Sequence, residues 1–122
     1  MEFNEAEIDP AFVIRALGAL AQEHRLAAFR LLVQAGAVGM AAGTIAERLG
    51  VPASSMSFHL AQLGHAGLVS QRRESRSIIY AADYAAMGGL MGYLTENCCG
   101  GVGCVADTAC SEQIIAETKI VA

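Results

Sequence analysis

The fold of this chain is decided by residues 54–63, Ser54-Ser55-Met56-Ser57-Phe58-His59-Leu60-Ala61-Gln62-Leu63. Within it, Met56, Leu60 and Leu63 recur at helical spacing and form a narrow apolar stripe. Serines and other polar side chains fill most of the remaining positions, and Gly67 follows as a stop signal. The pattern predicts a helix over about residues 53–65 that buries one side and leaves a polar side outward.

A shorter helix and a tight turn precede this stretch, as in a helix-turn-helix. The shorter helix ends at Leu49-Gly50, and the turn is Val51-Pro52. Its start is predicted either at Thr44, where Thr44-Ile45-Ala46-Glu47 has the spacing of a capping box, or nearer Ala42. Two longer helices are predicted earlier in the chain, over residues 10 to about 22 and about 24 to 35.

The residues after the stretch predict a β-hairpin and a fifth helix. The strands are expected over residues 68–73 and 76–82, with Glu74-Ser75 as their polar tip. Asp9 and Asp83 are the predicted N-caps of the first and fifth helices. The fifth helix is expected over about residues 84–97, with an apolar face of Met87, Leu90, Met91 and Leu94. Together these elements predict a mainly α (α+β) fold, a winged helix-turn-helix of five helices and a β-hairpin wing.

Composition indicates one folded domain in a chain of 122 residues. The net charge is −4, but Arg72, Arg73 and Arg76 concentrate positive charge in the predicted wing. No apolar run is long enough to span a bilayer, and the acidic N-terminus lacks the order of a signal peptide. We therefore expect a cytoplasmic protein with reduced thiols and no membrane partner. Its predicted parts are a helix-turn-helix domain over residues 1–97 and a cysteine-containing tail over residues 98–122.

The polar helix and the basic hairpin favour binding of double-stranded DNA. A helix that enters the major groove needs small or hydrogen-bonding side chains outward, and arginines on a hairpin can contact the backbone or the minor groove. The candidate DNA-binding residues are Ser54, Ser55, Ser57, His59, Gln62, Arg72, Arg73 and Arg76. The alternative from the pattern alone is a serine-rich, solvated helix beside an ordinary hairpin.

Several motifs resemble the ArsR/SmtB family of metal-responsive winged-helix repressors. In chain order they are residues 19–26, 44–51, 54–63, 66–69 and 72–76, followed by Tyr80. The resemblance covers about residues 12–97 and implies a homodimer through the first and fifth helices, with two recognition helices on a palindromic operator. It also implies DNA contacts by Ser54, Ser55, Ser57, His59 and the wing arginines. Phe58 departs from the family, where a basic residue is common, so we expect weaker phosphate contact or an altered choice of base.

The cysteines form one cluster. Cys98, Cys99 and Cys104 lie within seven residues, and Cys110 follows. The positions that carry metal ligands in better-known members of the family lack them here, since residues 39–44 hold no ligand and the fifth helix has no histidine. The cluster resembles that of a subgroup whose vicinal pair at the end of the fifth helix binds trivalent arsenic or antimony. Thiolates select soft ions, and the glycines between Cys99 and Cys104 allow three sulfurs to converge, with Cys110 as the alternative third ligand.

The sequence therefore predicts a repressor that binds its operator when metal-free. As(III) or Sb(III) would bind Cys98, Cys99 and Cys104 as inducer and release the DNA. One alternative keeps the fold but makes the thiols a redox or persulfide sensor. Another is an enzyme or metal carrier, for example with an iron–sulfur cluster. No nucleophile–base pair, phosphate loop or paired-carboxylate motif stands out in the sequence, so we expect no enzymatic activity.

Overall fold

The computed structural model describes residues 8–97 and Gly100. These residues fall in two compact units, divided between Leu90 and Met91. The elements in chain order are α1 (Pro10–Leu20), α2 (Glu23–Ala35), β1 (Met40–Ala41), α3 (Ala42–Leu49), α4 (Ala53–His65), β2 (Val69–Glu74), β3 (Ser77–Ala82) and α5 (Tyr84–Leu94). The five helices and the β2–β3 hairpin confirm the predicted fold class. Among residues 8–97, no helix combines the length and apolarity needed to cross a membrane.

Side-chain caps fix where several helices begin. The Asp9 carboxylate accepts a hydrogen bond from the amide of Ala11 at 3.1 Å, and that of Asp83 accepts one from Ala86 at 3.0 Å. Both predicted aspartate caps are thereby confirmed. Helix α3 begins at Ala42 and has no side-chain cap, so Thr44 does not start it. Helix α1 ends at Leu20 and α5 at Leu94, two and three residues before their predicted ends.

The core is built around one side of α4. Met56, Leu60 and Leu63 are fully buried, as the sequence stripe predicts. They pack in one cluster with Leu32 of α2, Ile45 of α3 and Leu68, which follows α4. Because these contacts come from helices on several sides, the rotation of α4 about its own axis is fixed.

The sheet contains a strand that the sequence did not predict. Its order is β1-β3-β2 and all pairs are antiparallel, with Met40 opposite Tyr80 and Ala41 opposite Ile79. The two residues of β1 lead directly into α3, so this strand ties the start of the helix-turn-helix to the wing. The wing tip also differs by one residue from the prediction. Glu74 pairs with Ser77, which leaves Ser75 and Arg76 as the turn.

Gly39, immediately before β1, lies close against β3. Its φ is +70°, and a Cβ atom there would collide with the carbonyl oxygen of Tyr80 and lie 2.9 Å from Cγ2 of Ile79. Gly50, between α3 and α4, has a similar φ of +66° but open space around it. The two glycines therefore share a backbone conformation that favours glycine, and they differ in steric surroundings.

We predict that Gly39→Ala destabilises the protein more than Gly50→Ala. Both changes carry the strain of a left-handed alanine, about 1–2 kcal/mol. Gly39→Ala adds overpacking against β3, which typically costs about 1–3 kcal/mol more. Urea-unfolding midpoints of the two variants measure the difference. Equal losses of stability would contradict the close approach of Gly39 to β3.

Candidate nucleic-acid interface

The turn between α3 and α4 is closed by backbone hydrogen bonds. Gly50 ends α3 in the left-handed conformation, and its amide donates to the carbonyl of Glu47 at 3.3 Å. The amide of Val51 donates to the carbonyl of Ala46 at 3.0 Å. The chain then enters α4 at Pro52, whose carbonyl accepts from Met56 at 2.9 Å. This short connection produces the predicted helix-turn-helix, with α4 in the place of the recognition helix.

The outer side of α4 is opposite the buried stripe. Ser54, Ser55, Ser57 and Phe58 are exposed, whereas Gln62 is half-buried. Small hydroxyl side chains at the start of the helix suit the major groove, because the N-terminal residues of a recognition helix contact the base edges. The structure thus leaves the three predicted serines accessible.

His59 lies further inward than the serines and contacts another helix. Its Nδ1 is 3.4 Å from Nη1 of Arg25, and its ring centroid is 5.5 Å from that of His24. Burial, then the positive charges of Arg25 and His24, lower the pKa of His59. Because the guanidinium can only donate, Nδ1 accepts and the proton of the neutral ring is on Nε2. The predicted DNA contact by His59 stays a prediction; in the free protein its ring joins α4 to α2.

Arg25 was not singled out from the sequence, although it connects three helices. Its Nε donates to the carbonyl of Ala19 in α1 at 2.7 Å, while its Nη1 reaches His59 in α4. The side chain thereby positions α4 against the junction of α1 and α2. Arg25 and His59 are separated by 34 residues, so only the tertiary fold reveals the pair.

The three wing arginines have different surroundings. Arg72 donates through Nε to the Glu74 carboxylate at 2.8 Å and through Nη2 to the carbonyl of Val38 at 2.9 Å. Arg73 and Arg76 are exposed, and neither side chain makes a hydrogen bond or ion pair with any residue in the described ranges 8–97 and 100. Side chains alternate between the faces of a strand, so Arg72 and Arg73 point to opposite faces. In the free protein Arg72 holds the wing against the residues before β1. Arg73 and Arg76 are exposed and can contact DNA phosphates.

A groove of about 480 Å³ lies between the recognition helix α4 and the wing strand β2. Ala61, Gly64 and His65 of α4 line one side, and Ser70 and Gln71 of β2 line the other. The groove therefore places the second half of the recognition helix beside the first residues of the wing.

The predicted metal-binding residues are the four cysteines of the cluster. Cys98, Cys99, Cys104 and Cys110 lie outside the described residues. Among the residues that are described, no group of three or more histidine, cysteine, aspartate or glutamate side chains is placed to hold a metal ion. The Asp83 carboxylate caps α5.

Comparison with known proteins identifies the family. A helix-turn-helix domain model matches residues 20–72, which span α2 to the start of the wing. The nodulation protein NolR of Rhizobium meliloti is 34% identical over 93 residues, 76% of this chain and 70% of NolR. An ArsR-like transcriptional regulator from Rhodococcus sp. RHA1 is 25% identical with a TM-score of 0.63, over 93% of this chain and 94% of that one. The chain belongs to the ArsR family of winged helix-turn-helix transcriptional regulators.

Two further solved structures show the same fold as this ArsR-family chain. Mb0332 from Mycobacterium bovis, described as homodimeric, is 26% identical with a TM-score of 0.59, over 79% of this chain and 88% of that one. A structure described as a possible transcriptional regulator for arsenical resistance is 25% identical with a TM-score of 0.60, over 77% of this chain and 96% of that one. The chain is therefore a DNA-binding helix-turn-helix transcriptional regulator, and the DNA contacts of the α4 serines and the wing arginines stay predictions.

The surroundings of the wing arginines predict different effects on DNA binding. Removing a phosphate contact makes the dependence of log K on log salt concentration less steep by roughly 0.9 per contact. We expect this change for Arg73→Ala and Arg76→Ala in binding titrations between 50 and 200 mM salt. Arg30→Ala, which removes an exposed arginine of α2, controls for net charge and should leave the slope nearly unchanged. An Arg73 variant with the slope of the Arg30 variant would exclude its phosphate contact.

Proposed function

We propose that this protein is a homodimeric repressor that releases its operator when trivalent arsenic or antimony binds Cys98, Cys99 and Cys104. The observation that carries the proposal is the donor set. Three thiols lie within seven residues, shortly after the last residue of α5, Leu94. No cysteine precedes them in the sequence, so these three residues and Cys110 hold all the thiols of the chain.

The donor set fits a trivalent metalloid by its chemistry. Thiolate sulfur prefers soft ions, and a trivalent metalloid is satisfied by three sulfurs. Structural zinc sites instead use four ligands in spacings such as Cys-x-x-Cys, which the adjacent pair Cys98-Cys99 does not provide. The solved structure described in connection with arsenical resistance, 25% identical to this chain, lends further support.

Exposed apolar side chains support dimerisation. Helix α1 leaves Ile14 69% exposed, and α5 leaves Met91 56% and Leu94 54% exposed. Large apolar side chains that a helix leaves exposed are typical of a surface that a second subunit covers. We propose that α1 and α5 each contribute to the contact between two copies, and the homodimeric neighbour Mb0332 supports this arrangement.

The composition of α5 suits a helix that transmits a signal. Three of its eleven residues are glycine, at positions 88, 89 and 92, and each costs about 1 kcal/mol relative to alanine. The Tyr84 hydroxyl compensates at its start by donating to the carbonyl of Val33 at 2.8 Å, and Leu90 is buried further along the helix. Asn97 then takes a φ of +58° immediately before the cysteine pair. A helix with low intrinsic stability can change its position in response to a modest binding energy.

Substitution of single cysteines tests the inducer site. Arsenite should weaken operator binding of the wild type by about 5–150-fold, the usual range of allosteric coupling. Cys98→Ser, Cys99→Ser and Cys104→Ser should lose this response, and Cys110→Ser, the matched control, should keep it. Fluorescence anisotropy of a labelled operator, with and without arsenite or antimonite, measures each effect.

Two outcomes of this experiment would contradict the proposal. Normal release by all three variants would exclude the assigned thiols. Release by an oxidant or persulfide, with a defined crosslink in mass spectrometry and no response to arsenite, would establish the thiol-redox alternative instead.

A further inference from the structure

Phe58 is an exposed aromatic residue in the middle of the recognition surface. It is the sixth residue of α4, and 59% of its surface is exposed. At 100° per residue it lies nearly opposite the buried stripe of Met56, Leu60 and Leu63. Because Phe58 is not buried in the core of its own chain, packing within the protein does not explain a phenylalanine at this position. Its location on a DNA-binding helix indicates a contact with a binding partner.

The neighbours of Phe58 on the same face are small or polar. Ser54 and Ser55 lie one turn before it, and Ala61 and Gln62 lie one turn after it. The ring is therefore the largest apolar group on the outer side of α4. When this face enters the major groove, the ring points toward the base edges, whereas side chains at the flanks of the helix approach the two backbones.

One side of the ring is held by the protein. The Phe58 and His59 rings are 5.9 Å apart at 62°, an edge-on arrangement that aromatic pairs favour. His59 is in turn held by Arg25. The ring is thus oriented before DNA binds, which reduces the entropy lost when it makes a contact.

The major groove offers an apolar side chain one group of matching chemistry, the C5-methyl group of thymine. We propose that Phe58 is a specificity-determining residue that contacts a thymine methyl group in each operator half-site. The proposal rests on DNA binding through α4. A positively charged side chain at this position would contact a phosphate, whereas Phe58 is assigned a contact with a nucleobase.

Replacement of thymine by uracil in the DNA tests this contact, because uracil lacks only the C5-methyl group. An operator is first selected by the full-length protein from a pool of randomised duplexes. Each thymine of a half-site is then replaced in turn by deoxyuracil, and affinities are measured for the wild type, Phe58→Ala and Gln62→Ala. Gln62→Ala is the matched comparison, since it removes another candidate DNA contact on the same face but no apolar group.

We expect one thymine whose replacement weakens wild-type binding by about fourfold, the factor that corresponds to ~0.8 kcal/mol for one buried methyl group. The same replacement should leave the affinity of Phe58→Ala unchanged, and it should weaken binding by Gln62→Ala about as much as it weakens wild-type binding. Phe58→Leu, which retains an apolar contact, should show part of this loss of affinity and guards against an effect of the alanine variant on folding.

Three results would overturn the proposal. The first is a selected operator with no thymine in its half-sites. The second is a loss of affinity on uracil replacement that is the same for Phe58→Ala and for the wild type. The third is an affinity of Phe58→Ala that equals the wild-type affinity for every duplex. If the wild type selects no duplex, DNA binding itself is refuted. This outcome differs from the three above, because no bound operator would then be available for the uracil replacements.

Discussion

Burial of the α4 stripe is the interaction on which the rest of this structure depends. Met56, Leu60 and Leu63 are fully buried, and each such side chain contributes about 1.5–3 kcal/mol. A rotation of α4 would expose these residues and bury serines without hydrogen-bond partners. The core therefore fixes which side of the helix meets DNA. Stability and recognition are thus specified by opposite faces of the same thirteen residues.

The wing is held to the segment just before α3 by contacts between residues that are distant in sequence. Strand β1 pairs with β3, Gly39 allows their close approach, and Arg72 bonds to the carbonyl of Val38. Two adjacent arginines consequently have different roles: Arg72 fastens the hairpin, and Arg73 remains exposed. The division follows from the alternation of side chains along a strand. One arginine therefore places the wing, and the exposed Arg73 and Arg76 stay its predicted contacts with DNA.

The sequence predicted the parts of the fold that depend on local signals. Aspartate caps, the apolar stripe of α4 and the β-branched residues of β3 identified the helices and the hairpin correctly. Strand β1 was missed because two residues carry no periodicity and their partner lies about 40 positions away. The contact of Arg25 with His59 and that of Arg72 with Val38 were missed for the same reason. By contrast, the bond from Arg72 to Glu74 could have been found, since residues i and i+2 share one face of a strand.

We infer that the outer face of α4 and the tip of the wing form the surface that binds DNA. Amide chemical shifts of the protein, followed by NMR during titration with a selected operator at constant salt, test it most directly. We expect the largest changes at Ser54, Ser55 and Phe58 of α4 and at Arg73 and Arg76 of the wing. Large changes confined to α1 or β1, with α4 and the wing tip unaffected, would contradict it.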